Sequence, residues 1–349
     1  MLKIHLIIIL NLILIPLTFI TVRAADQPLS VCATVPELGS LVREVGGEHV
    51  TVTVFAKGTE DPHFVEAKPS FIKALSRCDL YVQIGLDLEI GWVSVLLQNA
   101  RNEQVLPGTR GYLDASTAIV PLDIPTTLVD RSMGDVHPLG NPHYLLDPLN
   151  GVRVAALIRD KLSELQPGSK PYFNGHYEAF RQQLGAALVG EMLAQKYDVV
   201  KLALLFEHGR LDAFLRSQGE ETLLGGWLGM MRPYYGTQVV DDHNIWPYFA
   251  RRFGITIIGH LEPKPGIPPT TAHLNDLVHQ MKTEGVKAVL AASYYDPRYA
   301  GFVSTNTSAK VAYMANQAGA RPGTEDYLQM VDYNVQQLAG ALAGNNGKH

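Results

Sequence analysis

The chain has 349 residues, 46% of them apolar and 18% charged, with 29 Lys+Arg against 34 Asp+Glu for a formal net charge of -5. That composition supports buried cores in about two domains and excludes a disordered tail. No stretch reaches the basic density of a nucleic-acid binder, which excludes DNA or RNA as main ligand, and a mean hydropathy of +0.03 excludes a bundle of membrane spans.

Lys3 precedes an apolar run over 4–20 that His5, Asn11 and Pro16 interrupt, with Val22 and Ala24 following at the -3 and -1 positions of a cleavage site. This reads as a signal peptide over 1–24, removed after Ala24, that sends the chain to the periplasm. A membrane anchor needs about 20 clean apolar residues. Val31 before Cys32, and Asp26 in what should be an apolar stretch, argue against a lipid on Cys32. Cys32 and Cys78 are the only cysteines, and each opens a strand pattern. They are expected on neighbouring strands, where a disulfide and a pair of buried thiols both remain open.

In chain order, a strand pattern over 29–35 leads into a helical one over 36–45, closed by Gly46-Gly47. Strand 50–55, helix 71–76 and strand 80–84 follow. Strand, helix, strand at this spacing implies βαβ units and a parallel sheet. Residues 106–142 read as a long loop holding one or two strands, and 152–165 as a helix. Tyr177, Phe180, Leu184, Ala187, Leu188 and Leu193 then keep helical spacing across 172–196. That pattern predicts one helix of about 25 residues, about 37 Å long, as a rigid connector. Residues 201–236 are helical and interrupted by glycines, without a clear place. Beyond them come strands ending at 240 and over 255–258, 286–291 and 311–314. They alternate with helices over 246–253, 272–284, 297–304 and 326–342. The expected fold is α/β: two similar doubly wound lobes with parallel sheets joined by one long rigid helix. The lobes span 25–168 and 198–349, and the connecting helix 169–197.

No GxSxG, Walker loop, HExxH or GxGxxG motif occurs. Histidines stand out instead. His63 follows strand 50–55, His143 lies in Asn141-Pro142-His143, and His243 follows the strand ending at Val240. Each sits at the end of a strand or loop, where α/β sheets bind ligands, and three imidazoles gathered there suit a borderline cation such as zinc. His137 is more simply a loop residue than an auxiliary ligand, Glu207 and His208 read as solvated, and His260, His273 and His279 as surface residues. Asp61 and Asp242 each stand near a histidine, to orient it or to cap a helix.

Asp61-Pro62-His63 with Glu66-Ala67-Lys68-Pro69-Ser70 resembles the first-ligand motif of the zinc/manganese solute-binding proteins of bacterial ABC transporters. Cys78-Asp79-Leu80-Tyr81-Val82-Gln83-Ile84-Gly85 with Leu88-Glu89 and Trp92 is similar to the strand that follows there. Asn141-Pro142-His143 with Leu146-Asp147-Pro148 resembles the second motif. His243 with Trp246, Tyr248-Phe249, Phe253-Gly254 and Glu262-Pro263-Lys264-Pro265-Gly266 resembles the third. The likeness runs from about residue 29 to 340 in the family's order. It implies metal-ligand roles for His63, His143 and His243, two lobes with the ion between them, and a membrane permease as partner.

The chain departs from the pattern where many members carry an acidic fourth ligand, since Ala315-Asn316-Gln317 and Ala291-Ala292-Ser293 stand there. Asp296 is the nearest carboxylate in sequence, and water is the other way to complete the shell. The expected function is capture of a divalent transition metal, zinc rather than manganese, by a monomer that is not an enzyme and delivers the ion to the permease. A three-histidine zinc metalloenzyme, and an adhesin of the same fold without metal, are the alternatives.

Overall fold

The computed structural model describes residues 27–127, 136–264 and 266–344. The signal peptide expected over 1–24 lies outside them. The first half builds β1 (Leu29–Ala33), α1 (Pro36–Gly46), β2 (Val50–Val54), α2 (Pro69–Leu75), β3 (Leu80–Gln83), α3 (Val93–Ala100) and β4 (Tyr112–Asp114). These four strands pair in parallel in the order β2-β1-β3-β4. Proline opens α1 and α2, where a missing N–H is harmless. β1 and β3 lie inside the sheet and carry the buried run Val31, Cys32, Ala33, Leu80, Tyr81 and Val82, the continuous apolar pattern of strands covered on both faces.

Helices α4 (Pro148–Leu165), α5 (Lys170–Val189) and α6 (Glu191–Lys196) follow. The single long connector expected over 172–196 is therefore two helices. Gly190, at φ 87° and ψ 150°, ends α5 and precedes α6, so α5 spans about 30 Å rather than 37 Å. α5 packs on α1 and α4 on one side and on α7 (Val199–Glu207) and α9 (Gly226–Met231) on the other. The unplaced stretch 201–236 thus becomes α7, α8 (Leu211–Gln218) and α9, with short 3-10 turns between and after them.

The second half adds β5 (Gln238–Asp241), α10 (Pro247–Phe253), β6 (Thr256–His260), α11 (Thr271–Glu284), β7 (Ala288–Ala291), α12 (Pro297–Asn306), β8 (Lys310–Tyr313) and α13 (Tyr327–Leu342). Its parallel order, β6-β5-β7-β8, repeats that of the first sheet. In both sheets the chain reverses direction around a central strand, β1 or β5, and ligands bind outside the carboxyl ends at such switch points.

One continuous core joins the two sheets through the helices between them, and a smaller cluster around Val289, Leu274 and Met281 lies on the far side of the second sheet. Arg252 of α10 and Asp147 at the start of α4 bind each other in a fork, Nε to Oδ1 at 2.8 Å and Nη2 to Oδ2 at 2.9 Å, both fully buried. Glu207, expected in solvent, lies beside this pair, 3.4 Å from both Arg251 and Arg252.

Cys32 lies in β1, whereas Cys78 lies in the turn just ahead of β3 rather than in the strand itself. Both are buried free thiols in contact, and the bond to Cys78, followed by burial, pushes the Cys32 thiol far above its ordinary range.

Candidate metal centre

His63 and His243 stand on loops that follow β2 and β5, and His143 on the segment that leads into α4. His63 lies in a one-turn 3-10 helix after β2, opened by Pro62 and capped by Asp61. Asp61 Oδ1 accepts from the His63 backbone N–H at 3.0 Å and from ring Nδ1 at 2.7 Å, so the two roles considered for Asp61 are both filled. Burial pushes the Asp61 carboxyl up, but the bond and charge of His63 outweigh it and hold the group below its ordinary value. His143 opens the turn Tyr144–Leu146, and Asn141 Oδ1 accepts from both its backbone N–H and its Nδ1, at 3.0 and 3.1 Å. The Asn141 amide is oriented by its Nδ2, which donates to the Asn244 carbonyl at 2.8 Å. His243 follows β5 and donates Nδ1–H to Glu262 Oε2 at 3.0 Å, while its ring stacks on Tyr295 at 5.5 Å.

In all three histidines, therefore, Nδ1 carries the proton. Its partner is a carboxylate or an amide oxygen that can only accept. With Nδ1 occupied, Nε2 is the nitrogen each ring turns away from its anchor; that of His143 has no partner and that of His63 lies beside His137. Holding the second nitrogen on an acceptor is how proteins fix the tautomer and direction of a metal-binding histidine.

The structure corrects the reading of His137. It is part of the cluster: its Nε2 lies 3.0 Å from His63 Nε2, with ring centres 5.1 Å apart, and its ring lies 6.5 Å from that of His143. His63 and His143 rings are 5.6 Å apart. His137, His143 and His243 line one opening together with Asp123, Val136, Asn141 and Asn244. Two nitrogens bound at about 2.0–2.1 Å to one tetrahedral zinc stand about 3.3 Å apart, close to the His63–His137 separation. Among the described residues no three donors are already drawn around a single point, so the imidazoles are gathered but not closed on an ion.

Burial, then the neighbouring His63, lowers His137 to about 3, and the same causes drive His143 well below its usual value. Both are held neutral, the form a cation requires. His143 Nε2 is buried without any hydrogen-bond partner. A lone pair shut away from water in this manner fits a cation as its occupant.

Asp296 stands elsewhere. It caps α12 and ion-pairs with Arg298, which makes it a structural acid. Asp242 does not touch the His243 ring; it accepts from the Ala292 N–H, and burial, then Asp241, raises its carboxyl well above the ordinary range. His260 is no free surface residue, because its Nδ1 bonds Asp241, while His273 Nε2 meets the His260 carbonyl at 2.9 Å. In the sequence Glu262 stands only as the first residue of Glu262-Pro263-Lys264-Pro265-Gly266. Its role as acceptor for His243 depends on β6 lying beside β5, which no spacing along the chain shows.

Behind the histidines two acids are buried. Glu89 accepts from Thr34 Oγ1 and from the Ile84 and Gly85 N–H groups, and burial raises it to about 7. Burial raises Glu37, at the start of α1, to about 8.

Comparison with known proteins makes the chain the substrate-binding component of a metal ABC transporter. The family model for ZnuA, "Zinc-uptake complex component A periplasmic", matches residues 31–218 and 231–341, and the chain belongs to that family. The metal ABC transporter substrate-binding lipoprotein SloC of Streptococcus mutans is 22% identical over 327 residues, 92% of each chain. The manganese ABC transporter substrate-binding lipoprotein PsaA of Streptococcus mitis is 22% identical over 326 residues, 92% of this chain and 91% of that one. A crystal structure of ZnuA superposes with a TM-score of 0.65 at 21% identity, covering 90% of this chain and 99% of that one.

Proposed function

We propose that the protein captures zinc outside the cytoplasmic membrane, after export on a cleaved signal peptide, and hands it as a monomer to the permease of an ABC importer. His63, His143 and His243 are the ligands in this reading, and His137 is a fourth imidazole beside them. Residues 25–168 and 198–349 act as the two jaws and 169–197 as the spine.

The observation that carries the reading is the shared anchoring of the rings. Three histidines from three separate loops each have Nδ1 tied to an acceptor, which leaves Nε2 as the nitrogen free to meet a cation. An imidazole set favours zinc over manganese, which prefers oxygen-rich shells, although PsaA is a manganese protein by name. The test is competition calorimetry with zinc, manganese and cobalt, together with elemental analysis of protein purified without chelator. One zinc per chain, bound more tightly than manganese, is the expected result. Manganese binding more tightly than zinc overturns the zinc assignment, and a metal-free protein that binds none of the three overturns the reading itself.

A further inference from the structure

His143 stands between two cavities. On the outer side lies the opening shared with His137 and His243. On the inner side is a small cavity of about 20 Å³ walled by Glu37, Pro142, His143, Asn316, Gln317 and Met330, among others. That is room for one water-sized occupant.

Four side-chain atoms of this inner wall are buried without a hydrogen-bond partner: Glu37 Oε2, His143 Nε2, Gln317 Oε1 and Asn316 Nδ2. His143 Nε2 and Gln317 Oε1 are acceptors, and Glu37 Oε2 becomes one when a cation displaces the carboxyl proton. Asn141 holds the His143 proton on Nδ1, and Gln317 spends its amide N–H on the Glu60 carbonyl at 2.7 Å. Glu37 is 7% exposed, Asn316 5% and Gln317 1%. Three lone-pair donors, one of them a carboxylate, therefore face a space too small for more than one guest. Leaving such atoms unpaired away from water is costly, more so for an acid. A divalent cation answers all three at once.

We propose that Glu37 supplies a carboxylate oxygen to the cation that His143 binds, making it the anionic ligand of the site. This rests on the metal-capture reading above. Glu37 opens α1, directly after the central strand β1, on the same carboxyl edge as the histidine loops, so the fold already aims it at the cleft. Asn316 and Gln317 follow β8 of the opposite sheet. An ion held here would be bound by a carboxylate and an imidazole of the first lobe, with Gln317 Oε1 as its contact from the second. A carboxylate oxygen with imidazole nitrogens remains a zinc-type shell.

The test is a crystal structure of the zinc-loaded wild-type protein, read by anomalous scattering, with zinc and cobalt titrations of Glu37→Gln alongside it. Expected are a zinc–Glu37 oxygen distance of about 2.0–2.2 Å, zinc affinity at least about tenfold weaker in the variant, and an altered visible spectrum of the cobalt form. The metal-free variant is expected to melt no lower than wild type, since a neutral amide replaces a desolvated acid; a purely structural role would lower that melting temperature and leave the cobalt spectrum alone. Zinc bound by the histidines but more than about 3.5 Å from Glu37 overturns this proposal and leaves the metal-capture reading standing. Absence of zinc from the wild-type crystal overturns both. The wild-type distance decides the matter even if the variant does not fold.

Discussion

The first lobe brings three imidazoles to the cleft and the second brings one, and the two groups are held in opposite electrical surroundings. His63, His137 and His143 crowd together, with burial and mutual repulsion keeping His137 and His143 neutral. His243 instead donates to Glu262, and the residues before it, Asp241 and Asp242, are buried acids. One half is a set of lone pairs short of a cation; the other is an anchored ring backed by carboxylates. The ion is therefore expected to bind first to the first lobe and to draw His243 onto it.

Replacing ligands tests that order most strongly. His143→Ala is expected to weaken zinc binding by two orders of magnitude or more, beyond what loss of an outer partner of a ligand causes. His243→Ala is expected to weaken it less while abolishing any compaction on binding. Calorimetry with solution scattering reads both. Equal losses in the two variants would erase the distinction between the halves.

The next largest effect is on stability. Arg252→Met takes the forked partner from the buried Asp147 and leaves it only Arg251 at 4.0 Å and the Leu149 N–H, and removal of one partner of such a pair costs about 3–5 kcal/mol. Denaturant unfolding should show it. A change under 1 kcal/mol would mean that this contact does not hold the two sides of the cleft together.

Asp61→Asn and Glu262→Gln keep the shape of each acceptor and remove its charge, and each should lower zinc affinity about 10–100-fold. A matched loss would show that both halves rely on ring orientation. An effect confined to Asp61 would place the binding energy in the first lobe.

The metal-free protein should also lose stability toward acid and toward base for different reasons. His137 and His143 have folded pKa values depressed below 6.5, so the unfolded chain takes up their protons first and stability falls as pH drops below about 6.5. Glu89 and Glu37 are raised to about 7 and about 8, so the folded chain favours their protonated forms, and that contribution is lost as pH rises above about 4.5. Thermal melts across pH should therefore trace a dome. His143→Phe should flatten its acid side, and an unchanged acid limb in that variant removes the histidine cause. The smallest effect concerns the thiols: protein unfolded without reductant should alkylate at both Cys32 and Cys78, and the folded protein at neither.

Much of this molecule was legible locally. Gly254 and Gly285, both at φ 69°, close α10 and α11 where the pattern predicted. Gly190 falls inside the stretch whose spacing predicts one helix, yet its positive φ ends α5, and a Cβ placed there would stand 3.1 Å from the Gly225 backbone. His63 and His143 were legible because each sits two residues after its own acceptor, Asp61 or Asn141. His137 was not, because its partner in the fold is 74 residues away in sequence.

The sequence by itself determined the alternation of strands and helices, the helix starts at proline and ends at glycine, and the three loops that carry histidine, since all of these depend on contacts between residues a few positions apart. Only the tertiary structure decided which acids stand near the histidines. Asp296, nearest by sequence pattern, turns outward to Arg298, while Glu262 reaches His243 from the loop after the neighbouring strand β6 and Glu37 lines one small cavity with His143. The physical reason is that a carboxylate's role depends on what desolvates and partners it, and those neighbours come from distant strands that only the parallel sheets bring to one edge.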